Sequence, residues 1–87
     1  MKPIELNILF HTEDTAKASE LNIDTPLANY TVKKMTFYSI CAISPCTEDA
    51  GKYSFIYSGA DEFICTDSYE VLKEKLKNLF SFNDFMN

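Results

Sequence analysis

YSFIYSGADEFICTDSYEVLKEKL, residues 53–76, holds two short strands, a glycine turn, a capped helix start and an apolar helical stripe. In its first part Tyr53, Phe55 and Tyr57 alternate with Ser54, Ile56 and Ser58, the period of two of a strand. Gly59 can take the positive φ of a tight hairpin turn, leading into a second strand, EFICT. Asp67 stands at the expected N-cap, with Glu70 three residues on, the spacing of a capping box. Beyond it Tyr69, Leu72, Leu76, Leu79 and Phe80 fall within a stripe of about 100°, with Glu70, Lys73, Glu74 and Lys77 opposite. A helix over 68–80 is about 20 Å long, the length of a six-residue strand, so it can cross a sheet once.

Working outward, IELNILF at 4–10 places Ile4, Leu6, Ile8 and Phe10 on one face and Glu5 and Asn7 on the other. Residues 11–30 read as a loop carrying a one- or two-turn helix, capped by Thr12 or Asp14. Pro26 ends it by disfavouring the helical state at Thr25. Residues 31–43 read as one strand. Its second half is apolar in both parities (Phe37, Cys41 and Ile43 against Tyr38, Ile40 and Ala42), which predicts a central strand buried on both faces. Pro45 and Gly51 punctuate the following loop. The expected architecture is one α+β domain over 1–87: a four-stranded, mostly antiparallel sheet with one C-terminal helix packed across one face.

From Ile40 to Leu76 the pattern resembles very small bacterial and phage proteins built strand–loop–strand–turn–strand–helix, the flagellar FlbD-like proteins among them. The shared positions are Ile40, Ile43, Ile56, Gly59, Ser68, Val71 and Leu76. The resemblance supports the fold reading and brings no catalytic residue with it.

Composition narrows the function. The net charge is −5, and all eight basic residues are lysine. Arginine is the residue that forks onto phosphates and guanine edges, so an acidic, arginine-free chain is a poor candidate for direct binding to nucleic acid or an anionic membrane. The N-terminal stretch lacks the pattern of a signal peptide, and no apolar run approaches a membrane span, so a reducing cytoplasmic location and free thiols are expected. Cys41, Cys46 and Cys65 with His11 meet the ligand count of a zinc site, but their spacing matches no finger. Cys41 and Cys65 are expected as small core residues on neighbouring strands. Cys46 lacks the positive neighbours that would activate a thiol. Nothing in the sequence sets His11 beside a thiol. Neither a metal nor a cofactor is expected, and no catalytic set is found.

The acidic pairs Glu13-Asp14, Glu48-Asp49 and Asp61-Glu62 fall in predicted loops, where solvated charge is ordinary. Their alternative reading is mimicry of nucleic-acid phosphates, but an antiparallel meander sets the last two pairs at opposite ends of the sheet. The aromatic residues are more informative. Tyr53, Phe55 and Tyr57 share a face that Phe37 and Phe63 could join, and one helix covers only one face of a sheet. The second face must be covered by residues 11–30 (through Leu21, Ile23, Leu27 and Tyr30), by a second copy, or by another protein. Phe82 and Phe85 near the C-terminus could dock or pack back. The expectation is therefore a non-enzymatic module that docks on another protein or on a second copy. Its candidate interface comprises the aromatic face, the acidic turn at Asp61 and Glu62, and the two C-terminal phenylalanines.

Overall fold

In a computed structural model, which describes residues 2–77, the chain forms five strands and two α-helices. The strands are β1 (Ile4–Phe10), β2 (Thr31–Phe37), β3 (Ala42–Pro45), β4 (Ser54–Ser58) and β5 (Asp61–Cys65). Helix α1 (Glu13–Glu20) lies between β1 and β2, and α2 begins at Tyr69 and is described to Lys77. Every strand pair is antiparallel, in the order β2-β1-β5-β4-β3. The fold is α+β, with five strands rather than the four expected.

The fifth strand arises because 31–43 is not one strand. It divides at residues 38–41, and its two parts form the opposite edges of the sheet instead of a doubly buried centre. The apolar residues of the segment explain the misreading. Phe37, Ile40 and Ile43 all pack into the main core, three residues apart, whereas an extended strand would turn Ile40 to the other face. Tyr38, 73% exposed, lies in the bend between them.

This break requires the sheet to curl. Four lateral steps at about 4.8 Å separate the edges of a flat five-stranded sheet by about 19 Å. Five Cα steps from Phe37 to Ala42 reach at most about 18 Å even when fully extended. The link is tied to β4: Ser58 Oγ donates to the Ser39 carbonyl at 2.8 Å, and the Cys41 N–H donates to the Tyr57 carbonyl at 2.7 Å. Phe37 at the end of β2 meets Phe63 on β5 edge to face, with ring centroids 5.3 Å apart. Strands β1 and β5 touch narrowly, with Ile8 opposite Cys65 and the Thr66 N–H donating to the Asn7 carbonyl at 3.0 Å.

Helix α2 covers the first sheet face through Leu72 and Leu76, which pack with Leu6, Ile8, Phe37, Ile56 and Cys65. The register sets Ile56 between Ile43 and Phe63, so these three share the helix side. The helix starts one residue later than the sequence implies. Ser68 is the cap: its Oγ accepts from the Val71 N–H at 3.3 Å and its carbonyl from the Leu72 N–H at 2.9 Å. N3 is then Val71, so Glu70 cannot close a capping box. Asp67 instead binds Lys75 Nζ through Oδ2 at 2.6 Å, and its carbonyl accepts from the buried Ser54 Oγ at 2.8 Å. Leu79, Phe80, Phe82 and Phe85 lie outside the described residues.

Candidate functional site

The face of the sheet away from α2 is where the candidate interface was expected, and it divides in two. Across β1 and β2 it is mostly polar, with Glu5 opposite Thr36 and Asn7 opposite Lys34. Across β3, β4 and β5 it is aromatic and aliphatic: Phe55 lies between Ser44 and Ile64, and Tyr57 between Ala42 and Glu62.

A segment after α1 folds over part of this second half. Thr12 caps α1 reciprocally with Thr15, the Thr15 N–H reaching Thr12 Oγ1 at 3.1 Å and the Thr12 N–H reaching Thr15 Oγ1 at 2.7 Å. The helix ends in a Schellman motif. Asn22 takes φ 57°, its N–H donates to Ser19, and the Ile23 N–H donates to the Ala18 carbonyl at 2.8 Å. Pro26 then opens a short 3-10 turn, Leu27–Asn29, whose Leu27 is buried. Leu27, Leu9 and Cys46 form a second, smaller core, against which Tyr30, Tyr53, Phe55 and Ile64 pack half-buried. His11 meets Tyr30 at the end of this strap in a tilted ring contact, with centroids 4.8 Å apart.

The strap does not close the face. Between it and the sheet runs an open groove of about 810 Å³. Leu27, Phe55 and Ile64 supply its apolar lining, Thr15 and Tyr30 line it further, and Asp24 and Glu48 add charge. Ile23 also lines the groove and is 57% exposed, so the chain presents an aliphatic side chain there without burying it. Leu21 is exposed as well; of the covering residues expected, only Leu27 and Tyr30 pack on the face.

The expected interface residues are thus dispersed. Tyr53, Phe55 and Tyr57 share the second face as the alternation implied, and only Phe55 of the three lines the groove. The Tyr57 hydroxyl sits 3.4 Å from Ser44 Oγ. Phe37 and Phe63 do not join them. Phe37 is 3% exposed and Phe63 half-buried on the helix side, because each is paired in register with a residue of that face, Ile4 and Ile56. Asp61 and Glu62 are exposed where β5 begins, and Glu48-Asp49 lie beyond the other end of β4, so the two pairs are separated by the length of that strand. Sequence reasoning missed Ile64, Asp24 and Glu48 as groove residues. Asn22 followed by an apolar residue was the signal for the helix end that places Ile23.

The thiols exchange expected roles. Cys41 is exposed because it lies in the break between β2 and β3 rather than on a strand, and Cys46 is buried under the strap at 3% exposure. Cys65 is buried in the main core as expected, and burial pushes its thiol pKa up, which disfavours the thiolate a nucleophile needs. Among the described residues, no three His, Cys, Asp or Glu side chains are grouped to hold a metal ion, and no helix is long and apolar enough to cross a membrane. The chain matches no family model, no curated protein and no solved structure.

Proposed function

We propose that this protein acts by docking on another protein, as a regulator, adaptor or inhibitor, and that the groove on the second sheet face is its recognition surface. The observation that carries this reading is a concavity of mixed polar and apolar lining that gathers apolar side chains the fold does not bury. Phe55 and Ile64 are only half-buried, and Ile23 stands 57% exposed beside them. A chain this small has little apolar surface to spare, and it leaves these side chains gathered in one hollow. An entering side chain would bury them further at about 25 cal/mol per Å².

The test is selection from a random peptide display library against the full chain. Enriched peptides should bind the wild-type protein and lose at least about tenfold in affinity to Ile23→Asp, roughly 1.4 kcal/mol. Ile23 is exposed, so this change should leave the fold intact. If Ile23→Asp has no effect, and reversal of Asp49, Asp61 and Glu62 to lysine abolishes binding, the protein is instead an acidic decoy. A library that yields no peptide would also defeat the docking reading.

A further inference from the structure

The groove carries charge of one sign only. Its charged lining residues are both carboxylates, Asp24 and Glu48. Asp24 also lines a second hollow, of about 580 Å³, between α1 and the strap, where the other charged residue is Asp14. No lysine lines either hollow. Among the described residues the ion pairs are Lys34 with Glu5 and Lys75 with Asp67, so Asp14, Asp24 and Glu48 have no cationic partner there. The groove therefore sets a few apolar side chains, Phe55 and Ile64 among them, beside polar groups and unpaired negative charge, within a chain of net charge −5.

From this complementarity we infer that the groove takes a basic amphipathic segment of a partner protein: a bulky apolar side chain set against Phe55 and Ile64, flanked by lysine or arginine directed at Asp24 and Glu48. The inference rests on the docking reading and specifies the partner's chemistry. The apolar contact supplies affinity, while the carboxylates select the sign of the flanks and speed encounter. Phosphate-bearing ligands are repelled by the same carboxylates. Groove-to-groove pairing of two copies would set carboxylate against carboxylate, which disfavours self-association there.

Four blocked hexapeptides test this by titration into the full chain, followed by two-dimensional amide NMR. Their central sequences are Lys-Leu-Phe-Lys, Ser-Leu-Phe-Ser, Glu-Leu-Phe-Glu and Lys-Ser-Ser-Lys, each between glycines. The Lys-Leu-Phe-Lys probe should shift the amides of Ile23, Leu27 and Ile64 and bind about fivefold to tenfold tighter than the serine-flanked probe at low salt, the range for two exposed ion pairs. The glutamate-flanked probe should bind more weakly still. The double variant Asp24→Asn, Glu48→Gln should bring the lysine- and serine-flanked probes to equal affinity while its own spectrum stays folded.

Equal binding of those two probes to the wild type would overturn the charge selection and leave the docking reading standing. Lys-Ser-Ser-Lys binding as tightly as Lys-Leu-Phe-Lys would overturn the apolar anchor. Failure of every probe to shift the groove amides would overturn the inference, with the display selection still deciding the docking reading. Concentration-dependent shifts of the groove amides without any probe would show that a second copy occupies it, and would overturn it too.

Discussion

Asp49, Ala50 and Gly51 occupy the left-handed region in succession, with φ of 49°, 57° and 76°. Glycine does so freely, whereas alanine there places its Cβ against the carbonyl at a cost of about 1 kcal/mol. Ala50→Gly should raise stability by up to about 0.5 kcal/mol, the relief less the roughly 0.4–1 kcal/mol of entropy that glycine adds to the unfolded chain. A higher urea midpoint at unchanged slope would confirm it; a lower one would refute it. The three thiols should also separate. Cys41 is exposed and should react rapidly with a thiol reagent, while Cys46 and Cys65 are buried and should react only as the chain opens. Cys65 adds a pH dependence. Its folded pKa is raised above the ordinary thiol value of 9.0 by burial, so the unfolded state loses its proton first. This contribution to stability is complete below pH 9.0 and is lost as pH rises through the folded pKa. Urea unfolding from pH 8 to pH 10 should show a decline that Cys65→Ala reduces; the slope with pH is the readout, not the cavity the change leaves.

At the scale of elements, α2 is held by a narrow set of contacts. Leu72 is fully buried in the main core that also holds Ile56 and Cys65, so Leu72→Ala should cost about 2–5 kcal/mol. Val71, one residue away and 47% exposed, sets the comparison: Val71→Ala should change stability by less than about 0.5 kcal/mol. Chemical denaturation of both variants checks the pair, and equal effects would mean that the helix presents a different face. The stripe of α2 was legible because Leu72 and Leu76 repeat at helical spacing whatever they pack against. Its cap was read one residue early, since Asp67 and Ser68 are both good caps, and the choice depends on Asp67 being engaged by Lys75 and Ser54.

Over the whole molecule, the two cores differ in depth. Strand β4 is paired on both sides and packed under α2, whereas α1 buries only Thr15 among its own residues. Amide hydrogen exchange should therefore rank the Ile56 amide among the most protected and those of α1 well below it, by local opening rather than global unfolding. Uniform protection would show that strap and sheet open together. The sequence by itself determined the elements whose causes are local: the hairpin about Gly59, a short helix opening at Thr12 or Asp14, the alternation of β1 and the stripe of α2. Each depends on residues within a turn or a strand length of one another. Only the tertiary structure decided that 31–43 breaks at Tyr38, that β2 and β3 become opposite edges of a curled sheet, and that Phe37 and Phe63 turn to the helix side. It also decided that Ile23, Asp24, Glu48, Phe55 and Ile64 meet in one groove. Alternation with a period of two shows that a strand has faces; only its partners, distant along the chain, settle which face is inside.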